Sequence, residues 1–247
     1  MIRTRILPGA LAAVAACGLM AGAASAQTRA DDRVGSGFTN NRSDGPNRRD
    51  WLQTTRHTRE GGFLIGNPEA ATKIVEYVAP SCPECAEFTH RAGEQLFQQY
   101  VRTGHVSVEY RLYYRNGVDI AAGMLLNCLP PETYFDMMHN LLGSQPQWLG
   151  RIAQVTPAQR ASLSGLAPLE VARRMIPMLG LDTIARRHGL DAAEQAACLT
   201  QERMDGIETV HQAAVQAGVQ STPSFAINGT LSPAHNWASL EPLVRGR

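Results

Sequence analysis

The run Lys73-Ile-Val-Glu-Tyr-Val-Ala79 narrows the folds open to this chain more than any other feature. It is nearly continuous in apolar residues and is stopped by Pro80. Such a run marks a strand covered on both faces. The downstream sequence fits a strand of this kind. Beyond Pro80, apolar residues recur at Phe88, Ala92, Leu96 and Tyr100, a helical stripe that Gly104 ends. Residues 105–114 then alternate and are rich in Val and Tyr, which reads as another strand. Strand, helix, strand in that order predicts a βαβ unit with a parallel pair.

The rest of the chain divides simply. Residues 62–65 read as a short strand ended by Gly66-Asn67-Pro68. From Val118 to about Ala217 there is no strand signal. Helical stretches are expected near 120–127, 133–142, 168–179 and 192–217, with breaks at Pro130-Pro131, Gly143, Gly180 and Gly189. Strand signals return at 223–227, followed by the hairpin pair Asn228-Gly229, a return strand from Thr230 and a closing helix over 234–244. The expected architecture is therefore α/β. A sheet-bearing domain is built from 62–117 and 218–247, with 118–217 as a helical insertion.

At 247 residues and 44% apolar composition the chain can bury one good core. It carries 23 basic and 22 acidic residues, a balance that gives no pull towards nucleic acid. Aromatic content of 6% argues against stacking platforms for single strands. The N-terminus has a basic start (Met1 to Arg5), a charge-free Ala-rich stretch to Ala24 and the cleavage signal Ala24-Ser25-Ala26. Residues 1–26 are read as a secretory signal peptide. Val14-Ala15-Ala16-Cys17 resembles a lipobox, a competing reading that the good Ala24-Ser25-Ala26 site disfavours. Residues 27–61 are polar and are expected to form a flexible arm, apart from a contact at Trp51-Leu52. Export would place the protein where disulfides persist. Cys82, Cys85, Cys128 and Cys198 remain after signal removal, and four cysteines allow three pairings.

Cys82-Pro83-Glu84-Cys85 lies where the buried strand passes into a helix. The first N–H groups of a helix lack internal partners, and the helix dipole is positive there, so a thiolate at that point is stabilised. Pro83 suits the first helical position. Cys82 is thus expected at the exposed end as an accessible nucleophile, with Cys85 one turn further in as the resolving thiol. Two plainer readings compete. Half a zinc site would need a second close ligand pair, and Cys128 and Cys198 stand alone. A structural disulfide over a two-residue loop would be a poor staple. Glu76 lies inside the apolar strand, with Lys73 on the opposite parity. A buried carboxylate without a partner has a raised pKa and can trade protons, here with Cys85. The alternative is a solvated strand edge. Thr222-Pro223 precedes the last strand signals, and such a proline is either cis or an ordinary trans strand start.

Taken together, Gly66-Asn67-Pro68-Glu69-Ala70, Ile74-Val75-Glu76-Tyr77, Cys82-Pro83-Glu84-Cys85, Gly218-Val219, Thr222-Pro223-Ser224-Phe225 and Ile227-Asn228-Gly229 resemble the DsbA-like family of periplasmic thiol–disulfide oxidoreductases. The likeness runs from about Gly62 to Val244. It implies a thioredoxin fold with an inserted α-helical domain, and an enzyme that needs no cofactor and no metal. Cys82 would exchange with substrate cysteines through a mixed disulfide that Cys85 resolves. Pro223 would be the cis-proline facing the pair, and Glu76 the buried acid beneath it. The Thr222 backbone would pair with an extended substrate, with Pro83 and Glu84 on the same substrate-facing side. Cys128 and Cys198 match positions where some relatives carry a second disulfide. The implied partners are cysteine-containing exported proteins and a membrane or periplasmic redox partner, with the periplasm as location. One departure bears on direction. The best-known strong oxidants of the family have His where this chain has Glu84, and a carboxylate there disfavours the thiolate. Oxidase, isomerase and reductase all stay open, as does a non-catalytic thioredoxin-like carrier of peptide or metal.

Overall fold

The computed structural model describes residues 49–245. The signal peptide, the Cys17 lipobox and most of the arm lie outside the described residues. Six strands form one sheet: β1 (Thr55–His57), β2 (Phe63–Gly66), β3 (Thr72–Val78), β4 (Val106–Leu112), β5 (Ser224–Ile227) and β6 (Thr230–Leu231). Their spatial order is β1-β2-β4-β3-β5-β6. Only β3 and β4 run parallel; every other neighbouring pair is antiparallel. The parallel pair is joined by α1 (Pro83–Gln95), which widens into a π-helical stretch over Leu96–Val101. This is the expected βαβ unit, and it puts the end of β3 beside the start of α1.

β3 is central because both its faces are apolar. Ile74, Glu76 and Val78 face one way and are buried; Tyr77 faces the other and is also buried, while Lys73 is exposed. On the Glu76 side, Phe88 of α1 packs on Phe225 of β5 with ring centroids 4.7 Å apart. On the Tyr77 side, Ala214, Val219 and Ala226 complete a smaller cluster.

The helical insertion comprises α2 (Gly117–Leu126), α3 (Pro131–Gly143), α4 (Gln145–Leu149), α5 (Pro157–Ala161), α6 (Pro168–Leu179), α7 (Leu181–Arg187), α8 (Ala192–Cys198) and α9 (Gln201–Gln216). α2 is buried nearly all round, through Ala121, Ala122, Met124, Leu125 and Leu126. Burial of each large apolar side chain contributes about 1.5–3 kcal/mol. α2 also presses on the sheet: a Cβ at Gly123 would lie 2.3 Å from Leu112 Cδ2. The insertion is thus packed directly onto β4, and α10 (Trp237–Arg245) closes the chain.

Three expectations need correction. The arm expected over 27–61 ends earlier, because Trp51–Gln53 forms a helical turn and β1 pairs with β2. An edge strand needs only its backbone ladder and one packed side, so Thr-Arg-His escapes a hydropathy reading. The helix expected over 192–217 is two, because Thr200 turns extended and caps α9 by accepting from Arg203 N–H. The closing helix starts at Trp237 rather than 234, since Asn236 accepts the Ser239 N–H.

Candidate active site at the start of α1

β3 carries Glu76, then Ala79-Pro80-Ser81 turn the chain into Cys82, which caps α1. Cys82 is extended (φ −79°, ψ 117°), and its Sγ accepts the Cys85 N–H at 3.4 Å. Pro83 opens the helix. Both cysteines are free thiols. The Cys82 thiol is pulled down from 9.0 to about 7. Donation from the Cys85 side chain is the largest cause. Burial opposes it, Thr222 and the Cys85 N–H assist it, and Glu84 opposes it. Burial pushes Cys85 well above its ordinary value, and its bond to Cys82 adds to that. One sulfur is therefore ionisable near neutral pH while its neighbour stays a thiol, the division that thiol exchange requires.

Cys82 is not the accessible group the helix-start argument expected; it is fully buried. Two neighbours cover it. Glu84 Oε2 lies 3.3 Å from Sγ and the Thr222 carbonyl oxygen 3.2 Å from it, each in reach of the thiol proton. Glu84 is exposed and Thr222 buried, so Glu84 is the cover free to swing aside. The Thr222–Pro223 peptide bond is cis. Beside it opens a cleft of about 950 Å³, lined among others by Glu84, Thr222, Pro223, Tyr113, Tyr114 and His211.

Glu76 lies beneath the pair. It is wholly buried, and neither carboxylate oxygen has a hydrogen-bond partner. Burial first, and the negative charge of Cys82 second, raise it from 4.5 to about 8. It acts in turn on Cys85, whose ionisation it disfavours.

A family model described as thioredoxin matches residues 58–245, most of the chain. The structure of a protein-disulfide isomerase from Novosphingobium aromaticivorans is 31% identical, with a TM-score of 0.69, over 74% of this chain and 95% of that one. The chain belongs to the thioredoxin superfamily. Wolbachia pipientis alpha-DsbA1 shares the fold at 18% identity, with a TM-score of 0.60 over 77% of this chain and 92% of that one. A Rickettsia conorii chain, named as a candidate protein-disulfide oxidoreductase, is 23% identical over 72% of this chain and 57% of its own length. The chain thus spans little more than half the length of that curated relative.

In this thioredoxin-superfamily chain Cys82, Cys85, Glu76, Pro83, Glu84, Thr222 and Pro223 converge on one point. Cys128 and Cys198 do not. They are bonded to each other (S–S 2.00 Å, Cα–Cα 5.8 Å) and tie the end of α2 to the end of α8 across 70 residues. Closing a loop of that length stabilises the fold by about 4 kcal/mol in the chain-entropy account.

Three residues of the site gave no sequence signal. Asp119 Oδ1 accepts the Ser81 N–H at 2.8 Å, and its Oδ2 accepts the Arg115 N–H at 3.0 Å. Arg115 Nη2 donates to Ser81 O at 2.8 Å. Gln145 Nε2 donates to Pro80 O and Cys82 O. In sequence Asp119 is one more acidic residue in a first helical turn, and Gln145 sits in a Ser-Gln-Pro break; neither pattern points at a loop so far away in the chain.

Glu84 is testable alone. Its hydrogen bond works against the Cys82 thiolate. Glu84→Gln is expected to lower the pH midpoint of Cys82 ionisation by about half a unit to one unit. Thiolate absorbance at 240 nm during a pH titration of the reduced protein reads this. An unchanged or higher midpoint would mean that Glu84 does not weaken the nucleophile.

Proposed function

We propose that this protein is an exported thiol–disulfide oxidoreductase that exchanges disulfides with cysteines of periplasmic proteins. The observation that carries the reading is the divided acidity of Cys82 and Cys85 at the start of α1, above a buried and unpartnered Glu76. When the protein acts as reductant, the Cys82 thiolate attacks one sulfur of a substrate disulfide. The substrate S–S bond breaks, a Cys82–substrate disulfide forms, and the released substrate sulfur takes up a proton. Glu76, as carboxylate, accepts the Cys85 proton, and the Cys85 sulfur attacks Cys82 Sγ. The Cys82–Cys85 bond forms, the second substrate sulfur leaves, and two electrons have passed to the substrate. In the opposite direction, the same steps oxidise a substrate dithiol, with Glu76 returning the proton to Cys85.

Direction depends on how strongly the reduced form is stabilised. A Cys82 value of about 7 matches the roughly 7 of thioredoxin and lies well above the roughly 3.5 of the strong oxidant DsbA. Isomerisation or reduction is therefore favoured over donation of disulfides. The isomerase name borne by the Novosphingobium relative agrees with this. A periplasmic location is supported by the pattern of residues 1–26 and by the Cys128–Cys198 bond, of a kind that persists outside the cytosol. A membrane or periplasmic redox partner would then reset the pair.

Equilibration with glutathione buffers, with free thiols mass-tagged, gives the potential. The expected value falls between about −180 and −270 mV. A value near about −120 mV would overturn the direction and make the protein a disulfide donor.

A further inference from the structure

The short loop that delivers Cys82 is tied down over its whole length. Cys82 N–H donates to Ala79 O at 3.0 Å. Ser81 N–H goes to Asp119, and Ser81 O accepts from Arg115. That leaves the carbonyls of Pro80 and Cys82. Both are taken by one side chain: Gln145 Nε2 lies 2.7 Å from Pro80 O and 2.8 Å from Cys82 O. Gln145 is 6% exposed and opens α4, so it reaches the loop from the insertion, more than sixty residues away in sequence. A primary amide has two N–H groups, and here each has one carbonyl to serve. Cys82 O also accepts the Ala86 N–H at 3.1 Å as the first bond of α1.

The carbonyl and the sulfur belong to the same residue. The direction of Cys82 C=O is set by its ψ, and the extended value of 117° is what lets Sγ turn back to meet the Cys85 N–H. Whatever holds that carbonyl holds the sulfur. We propose that Gln145 is a positioning residue for Cys82: by donating to Pro80 O and Cys82 O it fixes the capping geometry of the nucleophile, so the helical insertion sets how readily Cys82 ionises. The inference rests on Cys82 being the reactive thiol. Two effects act in the same direction. Without Gln145 the loop can drift from the geometry in which the Cys85 N–H points at Sγ. In addition, Pro80 O loses its donor and Cys82 O keeps only the Ala86 N–H, so less offsets the negative ends of two carbonyls near the thiolate.

The test uses the full-length reduced protein and Gln145→Met, which keeps length and volume and removes both donors. Three quantities are read: the pH midpoint of thiolate absorbance at 240 nm, the rate of Cys82 alkylation by iodoacetamide at pH 6, and the thermal midpoint. The thiolate midpoint is expected to rise by about one pH unit, with a roughly tenfold slower alkylation. Gln145→Glu gives a second route if the Met variant does not fold. It keeps the shape, and its carboxyl, held protonated by burial and by the two facing carbonyls, can donate to only one of them, so its shift should be upward and smaller. A folded variant that loses thermal stability with an unmoved thiolate midpoint would overturn the proposal and leave Gln145 a packing residue. If the unmodified protein shows no thiolate midpoint near 7, it is the reading of Cys82 that fails, so the two failures are distinguishable.

Discussion

Cys82→Ser is expected to bring disulfide exchange down to the rate of the buffer thiols alone. No other group of the site can take over. A serine hydroxyl does not ionise near neutral pH, and Cys85 is buried and held well above its ordinary value. Cys85→Ser should behave differently. Cys82 keeps its place at the start of α1 and its donor from the residue 85 backbone N–H, so it still attacks a disulfide. The resolving sulfur is gone, so the Cys82–substrate disulfide accumulates. Reduction of insulin followed by turbidity reads the first variant. Intact mass after mixing with a disulfide-bonded substrate reads the second. Turnover surviving in Cys82→Ser, or no adduct in Cys85→Ser, would remove Cys82 from the role of nucleophile. A peptide carrier on the same scaffold would keep its binding in both variants, which separates that reading from the enzymatic one.

Much of this site was legible in the sequence because its logic is local. The apolar run of β3 and the Cys82–Cys85 spacing fix the strand–helix junction, and the helix dipole then points to Cys82 as the candidate nucleophile. Glu76 was readable from strand parity and its apolar flanks, since Lys73 had to face the other way. The inserted helices were visible as a block without strand signals, and Gly180 marked the α6–α7 boundary. The short helices α4, α5 and α7 were not visible, because five to seven residues carry too little periodicity to register.

The hidden features depend on tertiary contacts. The burial of Cys82 comes from a side chain two residues on and a carbonyl 140 residues away. Gln145 and Asp119 reach the loop from helices whose placement no window of sequence describes. β1 was lost for the opposite reason: its pairing is local, but its residues are polar. Helix-start reasoning places a thiol correctly along the chain, while the exposure of that thiol is decided by whatever the fold lays over it.

Glu76→Gln is expected to yield a protein that is more stable at neutral pH and slower. The folded value of about 8 is raised above the 4.5 of an unhindered glutamate. Between those two values the folded state holds a proton that the unfolded chain has released, so stability falls as pH rises from 4.5 towards 8. Below 4.5 both states are protonated and nothing is lost. At pH 7 the loss is about 3 kcal/mol. Glutamine does not ionise, so the variant should gain about that much over the parent between pH 4 and pH 7. Urea denaturation of both reduced proteins at the two pH values measures it; the titration of Cys82 is common to both and largely cancels. Kinetically, the variant has no carboxylate to take the Cys85 proton. Release of the mixed disulfide at pH 7 should slow by roughly 10²-fold. The rise in that rate as Glu76 ionises through about 8 should also disappear. A carboxylate kept only for structure would show the reverse pattern, with lost stability and an unaltered pH–rate profile. A gain in stability joined to a loss of rate assigns the proton to Glu76, because the charge that burial makes costly to the fold is the one the resolving step needs.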